Sequence, residues 1–132
     1  GFLRTPDELE AFLQDVCERS PLPVSVKTRL GIADDGEYER ILEVYRRVPL
    51  AGLIVHPRVQ KDRYQGVPRW DPYGETLAKA PFPVAYNGDI FSVEDRDALL
   101  SVYPATRHVM LGRGLLANPA LVGDARRTAP FP

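Results

Sequence analysis

The sequence has one cysteine, Cys17, and two histidines, His56 and His108. A single thiol excludes an internal disulfide framework, and these three residues cannot furnish a Cys/His zinc cluster, so no metal site is expected. No apolar run approaches the roughly 20 residues needed to cross a bilayer. No basic segment followed by an apolar one opens the chain as a secretion signal would, so the expected location is the cytoplasm, with no membrane contact. Neither charge sign dominates: 17 Lys and Arg stand against 18 Asp and Glu, leaving a net charge of −1. Contact with nucleic acid would therefore need a local basic patch, because overall charge cannot supply the attraction. What is present is 44% hydrophobic and 27% charged residues over 132 positions, the composition of one globular domain with a sizeable core. The 13 prolines punctuate the chain without gathering into a linker.

Four short apolar runs, PVSVK, GLIVH, PVAYN and HVMLG, end at Lys27, His56, Asn87 and Gly112 and recur at intervals of 25 to 31 residues. They are rich in Val, Ile and Leu without polar alternation, which predicts strands buried on both faces and hence a parallel sheet. Helical patterns fill the gaps. Thr5-Pro6-Asp7-Glu8 offers a capping side chain, an early proline and acids ahead of Leu9, Phe12, Leu13 and Val16. Glu37 to Arg47 carries Tyr38, Ile41, Leu42 and Tyr45 on one face, and a weaker helix is expected over Pro72 to Ala78. Ser92-Val93-Glu94-Asp95 caps another helix, and a short apolar one follows Gly114 and ends before Pro119. The predicted fold class is α/β, built of parallel βα repeats. Right-handed crossovers then bring Lys27, His56, Asn87 and Gly112 to one rim, the carboxyl ends of the strands, where α/β proteins bind ligands. A period near 30 also suits a (β/α)8 barrel of about 250 residues, of which this chain would be half.

Each rim group has a plain reading and a chemical one. Lys27 and Arg29 are either two solvated charges or two cations aimed from one strand end. His56 is either a packed, hydrogen-bonded residue or a ligand contact, and the following Pro57-Arg58 adds a cation. Asn87-Gly88 could form a hairpin turn, but Ser92 opens a helix where the return strand would have to start. A strand-to-helix junction with a glycine there lets the backbone approach an anion or a flat ring. Gly112-Arg113-Gly114 before a short helix has the make-up of a phosphate site. The loop HPRVQKDRYQGVPRW interleaves Arg58, Lys61, Arg63 and Arg69 with Tyr64 and Trp70. It is either a solvated loop or a surface for an RNA backbone and its bases. Cys17, in the first helix, is expected to be a half-buried structural thiol.

The segments VSVKTRLG, LIVHPRVQKDRYQGVPRW, VAYNGDIFS and VMLGRGLLANPAL resemble, in order and spacing, the tRNA-dihydrouridine synthases, over residues 22–122. The resemblance implies an FMN-binding barrel followed by a helical domain, which uses NADPH to reduce the 5,6 double bond of uridine in tRNA. It places Lys27 near the flavin pyrimidine edge and His56 in the flavin pocket. Asn87, Gly88 and Asp89 would lie along the ribityl chain and phosphate, with Gly112 and Arg113 gripping the phosphate. Arg29 and Arg58 would lie on the substrate side, with Lys61, Arg63 and Tyr64 in the tRNA-facing loop.

One departure matters most. The family's proton-donating cysteine lies in an Asn-x-Gly-Cys-Pro motif, which is absent here, and Cys17 in QDVCERSP does not match it. No catalytic residue is therefore expected in this chain. Residues 1–132 are expected to be a single partial domain equivalent to strands five to eight, a truncated fragment or an engineered half-barrel. It should be inactive alone, should lack its N-terminal half-barrel partner, and should self-associate through open sheet edges. The competing readings are a phosphate-ligand or flavin-binding module without chemistry, and another FMN barrel oxidoreductase. The His-Pro-Arg loop and the order of the motifs argue against the second of these.

Overall fold

Strands and helices alternate along residues 1–128, the part of the chain that the computed structural model describes. In chain order they are α1 (Pro6–Arg19), β1 (Ser25–Arg29), α2 (Tyr38–Arg47), β2 (Gly52–His56), α3 (Trp70–Lys79), β3 (Val84–Asn87), α4 (Val93–Val102), β4 (His108–Met110), α5 (Arg113–Ala117) and α6 (Leu121–Arg127). The strands form one sheet in the order β1-β2-β3-β4, with every neighbouring pair parallel. This is the architecture of half a (β/α)8 barrel. Helix α6 departs from the expectation, because Asn118-Pro119 looks like a terminator in the sequence; here Asn118-Pro119-Ala120 is a three-residue break before a new helix.

Local chemistry explains where the helices begin. At α4, Asp95 N–H donates to Ser92 Oγ (3.1 Å) while Ser92 N–H donates to the Asp95 carboxylate (3.1 Å), a reciprocal cap that ends the hairpin alternative for Asn87-Gly88. At α1 the expected threonine cap does not form: the Thr5 hydroxyl donates to Glu8 at 2.9 Å. That helix instead starts on Pro6, whose missing N–H costs nothing there, and on Asp7 and Glu8 at the positive end of the dipole. Ahead of α2, the Glu37 carboxylate accepts the N–H groups of Ile32, Ala33 and Asp34.

The helices cover one face of the sheet. Thr28, Leu53, Val55, Val84 and Tyr86 point into a core with Leu13, Ile41, Leu42, Tyr45, Tyr73 and Leu99, all buried. Tyrosine hydroxyls inside this layer find threonine partners: Tyr38 to Thr76, Tyr45 to Thr28 and Tyr73 to Thr106, each at 2.7 Å. Trp70 donates its indole N–H to Tyr86 at 3.1 Å. Burial pushes the Tyr45 and Tyr86 hydroxyls up to about 12, so both remain neutral, Tyr45 donating to Thr28 and Tyr86 accepting from Trp70.

The other face differs from the expectation of strands buried on both sides. Successive residues alternate, and Ser25, Lys27, His108 and Met110 are exposed within these residues. Register corrects a second expectation. Lys27 lies mid-strand and pairs with Ile54, whereas the partner of His56 is Arg29. The true end row is therefore Arg29, His56, Asn87 and Met110, with Lys27 one pleat behind.

Candidate functional site

A cleft of about 290 Å3 opens at the carboxyl ends of β2, β3 and β4. Its walls include Lys27, His56, Arg58, Tyr64, Asn87, Gly88, Asp89, Gly112 and Arg113, together with Ile90, Phe91, Met110 and Leu116. Four separated motifs thus converge, the second of them also through the loop's Tyr64, as the parallel topology requires.

The centre of the cleft wall is Arg58, which the resemblance placed on the substrate side. Its side chain is instead fully buried, and all five N–H donors are occupied within the chain. Nε donates to Gln65 O (3.2 Å), Nη1 to His56 Nε2 (3.2 Å) and Asp89 Oδ1 (3.0 Å), and Nη2 to Gly66 O (2.5 Å) and Asp89 Oδ2 (2.6 Å). No donor is left over for a substrate. Arg58 is an internal tie between the end of β2, the loop at Gln65-Gly66 and the β3–α4 junction. No signal in the sequence distinguishes it from the other cations of the loop, although Pro57 before it is buried as well.

Asp89 also receives Arg113 Nη2 on Oδ1, at 2.6 Å. The Arg58 hydrogen bonds, aided by the charges of Arg58 and Arg113, hold its carboxyl below the usual range although burial opposes them. His56 is driven the other way from a charged state. Burial first, then the cations of Arg29, Lys27 and Arg58, lower its imidazole to about 4, with only Asp89 pulling upward, so the ring is neutral at pH 7. Although Lys27 is exposed as a residue, partial desolvation in the cleft and the nearby Arg29 charge lower its ammonium as well.

Tyr64 sits among the guanidinium groups. Arg113 lies 4.7 Å and Arg29 5.4 Å from its ring centre, and the His56 ring stacks at 6.1 Å. Arg29 is committed further, since its Nη1 donates to the carbonyls of Val59 (3.0 Å) and Arg63 (2.7 Å) and so fastens the loop to β1. Elsewhere in that loop Arg69 pairs with Asp62 at 2.7 Å, and Trp70 begins α3 against Tyr86, so neither is presented as part of a basic and aromatic surface. Lys61, Arg63 and Tyr64 remain exposed.

The glycines serve different ends. A Cβ on Gly114 would stand 2.1 Å from Ile90 O, so close backbone packing requires that glycine, whereas one on Gly112 would meet nothing within 4 Å. Gly112 therefore leaves open space beside Arg113. Gly88, expected to admit a ligand, makes room chiefly for its own neighbours: a Cβ would lie 3.0 Å from the Tyr86 hydroxyl and 3.3 Å from Pro68. Asn87 ties strands together, donating through Nδ2 to Met110 O at 2.9 Å.

The family model described as dihydrouridine synthase (Dus) matches residues 1–131. The chain belongs to the dihydrouridine synthase family. Among curated relatives, a probable tRNA-dihydrouridine synthase 1 of Synechocystis sp. is 42% identical over 127 residues, covering 94% of this chain and 35% of that protein. A tRNA-dihydrouridine(16) synthase of Pseudomonas syringae pv. tomato is 32% identical, covering 90% of this chain and 38% of its own length. One of the same name from Neisseria meningitidis serogroup A is 28% identical, with shares of 95% and 38%. The chain thus spans little more than a third of the curated relatives it matches. As a dihydrouridine synthase segment, it gathers Lys27, His56, Asn87, Gly88, Asp89, Gly112 and Arg113 around a single cleft. Lys61 and Arg63 stay outside it, on the loop.

Proposed function

We propose that this chain forms one wall of the FMN cleft of a tRNA-dihydrouridine synthase. The observation that carries the reading is the pairing of Arg113 with open space at Gly112. A half-exposed guanidinium, held by the Asp89 carboxylate and by the faces of Tyr64 and Phe91, stands beside exposed backbone at Gly112. An incoming phosphate can replace Asp89 there with little rearrangement, in a charge-assisted contact. The donor set fits the rest of such a ligand. Lys27, without a carboxylate partner among the described residues, would face an electron-rich ring edge, and neutral His56 and Asn87 offer polar contacts without charge.

Bound there, the flavin would supply reducing equivalents drawn from NADPH to saturate the 5,6 double bond of uridine in cytoplasmic tRNA. The chain's own residues would bind and orient. Gly112 and Arg113 would hold the phosphate, Asn87 and Asp89 would flank the ribityl chain, and Lys27 would stabilise negative charge at the pyrimidine edge. Lys61, Arg63 and Tyr64, exposed on the loop, would meet the tRNA. No residue here matches the family's proton-donating cysteine motif, so turnover would need a donor from outside residues 1–132 and the isolated chain would be inactive.

Titrating the chain with FMN, riboflavin and AMP, read by flavin fluorescence or its displacement, tests the proposal. FMN should bind at least about tenfold more tightly than riboflavin, the worth of one charge-assisted contact. Equal binding of AMP and FMN would instead support a phosphate-ligand module without chemistry.

A further inference from the structure

We propose that Arg58 is a positioning residue that fixes His56 as the neutral Nδ1–H tautomer, so that the cleft meets its ligand with a hydrogen-bond donor at that atom.

Arginine and histidine are chemically asymmetric as hydrogen-bond partners. A guanidinium has five donors and no acceptor, so an Arg58 Nη1 lying 3.2 Å from His56 Nε2 requires that nitrogen to offer its lone pair. The single ring proton of the neutral imidazole must then sit on Nδ1. Arg58 cannot turn away to release the constraint. Asp89 and the carbonyls of Gln65 and Gly66 occupy its remaining donors, and the side chain is sealed from solvent. Protonating the ring is opposed too, because it would press an Nε2–H and a second positive charge against the guanidinium.

The other nitrogen is available. His56 Nδ1 makes no hydrogen bond to any described residue, yet no enclosed side-chain nitrogen or oxygen lacks a partner, so Nδ1 reaches accessible surface. His56 lines the cleft, and its neighbours there are Tyr64, which stacks on it, and the cations of Lys27 and Arg29. A carbonyl oxygen or a ring nitrogen of a ligand would find a donor at this point, fixed by a residue that does not touch the ligand. Only this last step rests on the cleft being the flavin or substrate site.

The whole chain, labelled with 15N-histidine, gives two imidazole spin systems, His56 and the exposed reference His108. Long-range 1H–15N correlation at neutral pH should show His56 as the Nδ1–H tautomer. Arg58→Met should convert it to the Nε2–H form or a mixture. Asp89→Asn, which leaves the guanidinium beside Nε2, should preserve Nδ1–H. An Nε2–H tautomer in the unaltered chain, or no change in Arg58→Met, overturns the proposal. If Arg58→Met does not fold, the unaltered and Asp89→Asn spectra still decide it.

The donor role is read separately. His56→Asn, whose amide can place an N–H near the Nδ1 position, should bind FMN about tenfold more tightly than His56→Leu; equal weakening removes that role. Failure of the unaltered chain to bind FMN would strike the flavin reading while leaving the tautomer result standing.

Discussion

Arg58 grips Asp89 with both terminal nitrogens, Nη1 to Oδ1 at 3.0 Å and Nη2 to Oδ2 at 2.6 Å, across 31 residues of sequence. The guanidinium is buried and the carboxylate reaches the cleft, so the pair links the core to the ligand surface. Arg58→Met would leave the Asp89 carboxylate and the carbonyls of Gln65 and Gly66 without their buried cation, although Gln65 and Gly66 are open to solvent and Asp89 partly so. Its expected cost is a few kcal/mol, below the roughly 3–5 kcal/mol for stranding a fully buried charge, because Asp89 keeps Arg113 and some solvent. The midpoint of urea unfolding measures this, and a midpoint within error of the unaltered chain would contradict the role given to Arg58.

His56 makes stability depend on pH in a definite direction. Its folded value of about 4 lies below the ordinary 6.5, so the unfolded chain binds more protons between those limits. Stability contributed by the neutral ring is therefore complete above about pH 6.5 and declines as pH falls toward about 4. Asp89, whose carboxyl is also lowered, adds a further loss once pH drops below the unfolded carboxylate value of about 3.9. Unfolding free energies at a series of pH values should fall steadily on acidification from neutral. His56→Phe should flatten the upper part of that fall, and an identical profile in the variant would exclude His56 as its source.

Arg113 should separate binding from stability. Its side chain is 45% exposed, so its pair with Asp89 is screened and Arg113→Ala should change stability by no more than about 1 kcal/mol. Affinity for FMN should nevertheless drop by roughly tenfold or more, the loss expected for a charged hydrogen bond to phosphate. Unaltered affinity in calorimetry would remove Arg113 from the phosphate contact.

The two glycines around it make opposite predictions. Gly114→Ala would drive a methyl into the Ile90 carbonyl and should cost about 1–3 kcal/mol or more through overpacking. Gly112→Ala meets empty space and should leave the thermal midpoint nearly unchanged while weakening FMN binding. Equal destabilisation of both variants would show that Gly112 is also a packing residue.

Strands β1 and β4 are edges among the described residues, and the uncovered sheet face carries Met110 at 39% exposure. Unpaired strand edges and exposed apolar surface favour association. The isolated chain should show a concentration-dependent dimer or larger species in light scattering; a strict monomer at high concentration would tell against this.

Much of the frame was legible in the amino-acid order, because its causes are local. Apolar runs at a steady interval, Pro6 with its acids, and the Ser92/Asp95 cap dictate strands and helices through short-range hydrogen bonding and side-chain period. Right-handed crossovers then force Asn87 and Gly112 onto one rim. What the order of residues could not reveal was decided by packing between segments far apart in the chain. Register set His56 beside Arg29 and moved Lys27 back one pleat, since pairing partners depend on how strands slide against each other. Arg58 resembled a surface cation in a basic loop until Asp89 and the carbonyls of Gln65 and Gly66 closed around it. Burying a guanidinium is tolerable only where every donor finds an acceptor, and those acceptors are assembled by the tertiary fold alone.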